Sequence, residues 1–368
     1  MQAFLQSVGE RIGDPTTAAL GGLLTGLIFG AFAQQSRFCL RSACIEFWHF
    51  QPGRKFAIWL VAFSSALILT QVQMLAGTLD PGSIRQLATT GSLSGAIIGG
   101  ALFGTGMVLA RGCASRLLVL SATGNLRALV AGLILTVFAQ ASLTGILSPL
   151  RARLSAIWLI GAEERDLATM LPHAFPLMAG IVIILAGLLL AWRTKTRPWL
   201  IVAASLTGSA VALGWWLTSW HASWTFDLVA VKSVSFTGPS ADTLMALITQ
   251  PAVPLTFDTG LVPGVFAGSF LAAMLTREFK WQTFDAGTGM VRYLAGAVLM
   301  GFGGMLAGGC AVGAGVTGGS VMALTAWIAL LFMWLSAGLA DALLDRRADS
   351  AAPLARLTQI KDAPATAE

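Results

Sequence analysis

Charge is what this chain has least of. Only 11% of its 368 residues are Asp, Glu, Lys or Arg, against roughly 25% in an average soluble domain. That deficit excludes an ordinary water-soluble globule. Cysteine is also scarce: Cys39, Cys44, Cys113 and Cys310 form no C-x-x-C pair and are too scattered for a disulfide framework. With only three His in the chain, no zinc site is expected. No metal and no cofactor are implied. The net charge of +6 comes with nothing resembling a nucleic-acid module, so nucleic acid is not an expected partner.

What the chain has is apolar sequence in uninterrupted blocks, with 56% hydrophobic residues and a mean hydropathy of +0.76. A helix satisfies all its backbone groups internally, so such blocks are at home in a lipid bilayer. The pattern predicts an all-α polytopic membrane protein. At about 20 residues per crossing, nine transmembrane helices are expected, at 18–35, 56–77, 92–112, 125–148, 173–192, 199–218, 256–276, 291–309 and 321–341. Ala31-Phe32-Ala33 has the look of a signal-peptidase site, but Glu10, Arg11 and Asp14 precede it without a positive leader. The first block therefore reads as a retained helix. With nine spans, 17 of the 23 basic residues fall on one set of alternating connections and six on the other. The positive-inside rule then puts the N-terminus outside and the C-terminus in the cytoplasm.

The whole of 1–368 reads as a single membrane domain. One repeat half covers about 18–148 and the other about 256–341, with linking spans and loops at 149–255 and a flexible tail at 345–368. The repeat rests on two stretches, GTGMVLARGCASR at 104–116 and GFGGMLAGGCAVG at 301–313. Aligning Cys113 with Cys310 brings Gly104, Gly106 and Gly112 onto Gly301, Gly303 and Gly309. Nine spans give these two stretches opposite directions, which predicts an inverted internal repeat with broken or re-entrant helices near the midplane. A weaker echo lies upstream, where Gly26, Gly30 and Arg37 resemble Gly264, Gly268 and Arg277. Most glycines at four-residue spacing are expected to serve close helix packing. The connections at 149–172 and 219–255, with Trp215, Trp216, Trp220 and Trp224, read as interfacial anchors.

A lone cysteine in a membrane helix is ordinarily a small apolar residue. Here Cys113 and Cys310 each follow a glycine, Gly112 and Gly309, at matching places. Each is followed by residues that break a helix and can cap a new one: Thr123 and Asn125 after the first, Thr317 and Ser320 after the second. New helix N-termini expose backbone N–H groups and bind anions without a fixed charge. The pattern points to a small anion passing thiol groups. Arg111, whose repeat mate is Gly308, either faces that path or marks the interface. Cys39 sits in the polar exit QQSRFCLRSAC as a third contact. The G-x-G-x-x-G at 313–318 is a decoy, since a dinucleotide site needs a strand before it.

Taken together, SRFC (36–39), GMVLARGCAS (106–115) and GGMLAGGCAVG (303–313) resemble the YeeE/YedE family of sulfur-compound transporters over nearly the whole chain. The resemblance implies uptake of thiosulfate, or of a related sulfur or selenium species, through the bacterial inner membrane. It maps the family's three cysteines to Cys39, Cys113 and Cys310 and leaves Cys44 without a counterpart. Ser36 stands where the family often has Gly. A separate TusA-type sulfur-carrier protein is the implied partner. The reading is of a transporter and not an enzyme; a membrane thiol oxidoreductase is the alternative from another class.

Overall fold

A computed structural model describes residues 13–172, 174–225, 229–283 and 289–345. Glu10 and Arg11, and all of the expected tail beyond 345, lie outside the described residues. The long helices are α1 (Asp14–Ser36), α3 (Arg54–Leu75), α4 (Leu93–Leu109), α6 (Leu126–Leu143), α8 (Phe175–Arg193), α9 (Pro198–Trp224), α11 (Phe257–Leu275), α12 (Met290–Leu306) and α14 (Leu324–Ala340). Shorter helices lie between them: α2 (Leu40–Trp48), α5 (Ala114–Ala122), α7 (Ser148–Ala156), α10 (Thr237–Thr249) and α13 (Ala311–Gly318). Among the described residues nine helical segments are long and apolar enough to cross a membrane, matching the nine expected blocks. Pro15, Pro176 and Pro198 open α1, α8 and α9, where the missing N–H has no helical partner to lose.

Glycine decides which helices touch. Along the α1–α11 seam, a Cβ at Gly264 would stand 2.5 Å from the Leu23 carbonyl oxygen, and one at Gly26 would stand 2.8 Å from the Val265 nitrogen. Gly22 likewise meets Phe257, and Gly30 meets Val265. The partner number rises with the residue number, so α1 and α11 run parallel. The upstream glycine echo therefore belongs to a parallel pair, and its local two-fold runs along the helices.

The seam between α4 and α12 is different. Gly99 lies against Gly303, and Gly106 against Gly296. Here the partner number falls as the residue number rises, so the pair is antiparallel. In the register that matches Cys113 to Cys310, Gly99 maps to Gly296 and Gly106 to Gly303. The two contacts are therefore the same contact seen from either side, as in an isologous interface. The outer flanks repeat this reciprocity: Gly104 of α4 packs on Met333 and Ser336 of α14, and Gly301 of α12 packs on Leu135 and Ala139 of α6.

The connections deviate from expectation in two places. The 219–255 segment contains α10, a helix of 13 residues that packs on α6 and α11. Trp215 is not an interfacial anchor. It is 1% exposed, and its indole Nε1–H donates to Ser320 Oγ at 3.3 Å, which satisfies the one polar group that otherwise draws Trp to the headgroups. Trp216 and Trp220 stack on α9 with ring centroids 6.5 Å apart, and Trp224 lies tilted against Trp220 at 5.6 Å.

Candidate functional site

Three long helices break in the same way. Arg37, Arg111 and Gly308 adopt left-handed conformations with φ of 55°, 54° and 81° at the ends of α1, α4 and α12. The following N–H folds back onto the last helical turn: Phe38 to Ala33 O at 3.2 Å, Gly112 to Met107 O at 3.0 Å and Gly309 to Gly304 O at 2.8 Å. This back-bond is the Schellman ending. The next residue in each case is a cysteine in extended backbone that stands at the N-cap of a short helix: Cys39 before α2, Cys113 before α5, Cys310 before α13. One backbone device thus delivers a thiol to a helix N-terminus three times.

The breaks converge. Cys39 and Cys113 come from different helices, yet their thiols lie close enough to interact with each other. The Cys113 thiol also pairs with Ser115 Oγ at 3.3 Å. Arg116, one turn further along α5, interacts electrostatically with both thiols. Its Nη1–H donates to Gln34 Oε1 at 3.5 Å; Gln34 donates to Glu278 at 3.0 Å, and Arg37 pairs with the same carboxylate at 3.2 Å. These groups sit where α1 and α11 end. Cys310 belongs to the other end of the bundle's middle. Its Sγ accepts from the Gly313 N–H at 3.4 Å, and α13, buried along its whole length, touches α5. All four cysteines are buried free thiols.

Above Cys310, toward the end where α1 and α11 begin, lies a cavity of about 270 Å³. Gly308, Gly309 and Thr317 form its floor, and Arg85, Lys232, Asp242 and Asp258 supply its charge. Lys232 Nζ pairs with Asp258 Oδ2 at 2.5 Å. The Asp242 carboxyl is pushed above its ordinary range, first by burial and then by the neighbouring Asp258, against the pull of Lys232 and Arg85. At about 30 Å³ per water, the space admits a tetrahedral oxyanion with part of its hydration.

The candidate residues read from sequence divide between these regions. Gly309 and Thr317 line the cavity. The Thr317 hydroxyl donates to Val234 O at 2.6 Å. Ser320 donates to Thr317 O at 2.8 Å, and its own carbonyl accepts from Gln71 at 2.7 Å. Neither caps a helix, because Ala323 holds the N-cap of α14. Asn125 caps α6 by accepting from the Ala128 N–H at 3.0 Å. Asn125 also donates to Gln282 at 2.6 Å, and the Thr123 carbonyl accepts from the Lys280 N–H at 3.1 Å. Their hydrogen bonds go to the 280–282 segment rather than toward a thiol. Gly112 closes the α4 ending, while Arg111 is an exposed left-handed residue beside it. Arg116 takes the place beside the thiols, and the signal for it was its spacing: three residues past Cys113 is the same helix face. The cavity's Arg85, Lys232, Asp242 and Asp258 carried no sequence signal, since they come from separate segments.

The family model described as sulphur transport matches residues 35–339. The chain is 30% identical to the thiosulfate transporter TsuA of Escherichia coli K12, over 86% of this chain and 92% of that protein. It is 29% identical to the thiosulfate transporter TsuA of Spirochaeta thermophila, over 85% of this chain and 95% of that protein. The chain belongs to the sulphur-transport (YeeE/YedE) family, a family of membrane transporters and not of enzymes.

Proposed function

We propose that the chain imports thiosulfate, or a closely related sulfur anion, across the bacterial inner membrane past Cys310, Cys113 and Cys39 in turn. The observation that carries this reading is the meeting of the Cys39 and Cys113 thiols beside Arg116, with α13 and its Cys310 cap reaching α5 from the other side. The chemistry suits the cargo. A terminal sulfur takes a weak hydrogen bond from a thiol, and sulfonate oxygens suit the N–H groups at the starts of α5 and α13. Weak successive contacts let an anion bind and still leave, so the thiols pass it along with no lasting covalent step.

The α4–α5–α6 and α12–α13–α14 units form the inverted repeat in this reading, supported by their reciprocal antiparallel contacts. Cys113 and Cys310 are its paired half-sites. With the N-terminus outside, the charged cavity opens outward, and the Gln34–Glu278–Arg37 network marks the cytoplasmic mouth, where a TusA-type carrier would receive the sulfur.

Uptake of radiolabelled thiosulfate into cells or vesicles tests the reading. Cys113→Ala and Cys310→Ala are expected to abolish uptake with the protein still present in the membrane. Normal uptake in both variants would overturn the thiol path. The same assay against a panel of sulfur and selenium oxyanions separates thiosulfate from its relatives.

A further inference from the structure

The outer cavity is an odd mouth for an anion, because it carries as many carboxylates as cations. Arg85 and Lys232 face Asp242 and Asp258, and no other ionisable side chain among the described residues lines it. The elements packed against α10 from the remaining sides, α6 and α12, contribute only Leu143 and Met305. Asp14 and His221 lie beyond Lys232, in the adjoining cavity of about 260 Å³.

Asp258 is the more telling of the two acids. It is 9% exposed, and although Oδ2 holds Lys232, Oδ1 is buried with no hydrogen-bond partner. A buried acceptor left unmatched costs about 1–3 kcal/mol, and what it lacks is a hydrogen. Asp242 stands on α10 in the same cavity and couples electrostatically to Asp258. A divalent anion arriving between these acids repels both and strengthens the case for neutralising one of them.

We propose that Asp242 and Asp258 together hold a proton, and that the cavity takes it up along with the anion. The inference rests on the reading that the cavity receives thiosulfate. Binding linkage is reciprocal: the anion raises the pair's hold on the proton, and the proton raises the cavity's hold on the anion. Neutralising one of the two carboxylates leaves Arg85 and Lys232 in excess by one charge, so the cavity turns net positive when the cargo arrives. Burial pushes the Asp242 carboxyl upward, which brings its titration nearer the working range. No bond other than the O–H on the carboxyl forms, and the proton comes from the medium.

Calorimetric titration of thiosulfate into the purified full-length protein tests this, run at mildly acid pH in two buffers of different ionisation heat. Thiosulfate stays ionised across that range, so any proton taken up belongs to the protein. The expected result is a buffer-dependent heat that reports proton uptake, with affinity rising by up to about tenfold per pH unit of acidification for one linked proton. Asp242→Asn, on the exposed side of the pair, is expected to bind thiosulfate at every pH with the affinity the unmodified protein reaches only at acid pH, losing both the buffer dependence and the pH dependence. Asp258→Asn is expected to do the same. Normal binding with no buffer dependence in the unmodified protein would overturn the linkage and leave the transport reading standing. No thiosulfate heat at all would defeat both. A buffer dependence that persists in Asp242→Asn and vanishes in His221→Gln would overturn the assignment in favour of the histidine. A requirement for sodium that replaces the pH dependence would overturn the proton in favour of a metal cation.

Discussion

At Cys113 the helix beyond the break is a regular α-helix, and it brings its own charge: Arg116 sits one turn on, beside the Cys113 and Cys39 thiols. At Cys310 the helix beyond the break is wide, with the Gly315 N–H reaching back five residues to Cys310 O. It consists of Ala, Val, Gly and Thr alone. Its charge is borrowed from elsewhere, from Arg85 before α4 and Lys232 before α10, across an open cavity. The backbone plan is common to both, down to the left-handed residue and the back-bonded glycine. Two copies of one cap have thus been given opposite surroundings. One has a resident cation beside its thiol, and the other lies against a cavity whose cations are balanced by acids. A cap supplies N–H groups and a thiol, while the elements packed around it decide how firmly an anion is held.

The sharpest way to break that comparison is to remove the resident cation. Arg116→Ala takes away a charged hydrogen-bond donor from the thiol pair, a loss of about 1.5–3 kcal/mol, and is expected to slow thiosulfate uptake roughly ten- to a hundredfold. Arg111→Ala, five residues earlier and exposed, is expected to change uptake by less than about twofold. Uptake rates normalised to membrane-inserted protein check both. Equal effects would mean that the Cys39–Cys113 site does not depend on Arg116.

A second test asks whether the shared glycine does the same job in both copies. A Cβ at Gly112 meets nothing nearer than Leu117 at 3.6 Å, but one at Gly309 would stand 2.7 Å from the Ala314 nitrogen. Gly309→Ala must therefore push the first turn of α13 aside, at about 1–3 kcal/mol, and is expected to lower both thermal stability and uptake. Gly112→Ala is expected to stay within about 0.5 kcal/mol of the parent. Thermal unfolding in detergent compares the two.

The spans were legible because lipid demands unbroken apolar runs, and Leu93–Leu109 or Phe175–Arg193 could hardly be anything else. The breaks were legible too, since Gly112-Cys113 and Gly309-Cys310 stand out in such runs. That α1 and α11 touch was not. Gly26 and Gly264 each mark a close approach, and the nine-span count makes these two crossings run the same way, but only the contact register shows that they meet. On paper Arg111, beside Gly112-Cys113, stands out and Arg116 does not. The left-handed turn at Arg111 redirects the chain into α5, so the later arginine reaches the thiols. Trp215 departs from the expected anchor role because the headgroup preference of Trp is an average, overruled once Ser320 accepts from its indole. The cavity's four charges meet only through tertiary packing of segments with no common spacing. At 13 residues, α10, which carries Asp242, is too short to register as a span.

The smallest expected effect probes the charged side of the comparison. Asp242 is held above its ordinary carboxylate range in the folded protein, chiefly by burial and then by Asp258. A carboxyl whose folded value is raised contributes its stability below the unfolded value and loses it as pH rises through the folded one. At neutral pH the ionised Asp242 is therefore a mild burden, and at acid pH it is none. Asp242→Asn should raise the midpoint of thermal unfolding by about 1 °C at neutral pH, given the exposure of the group, and the gain should vanish as the medium is acidified. No Asp or Glu lies on α5, which Cys113 caps, so Ser115→Ala, made there as a control, should show no such pH-dependent difference. A midpoint gain that persists at acid pH would mean that the Asp242 side chain, and not its charge, is what the charged cavity disfavours.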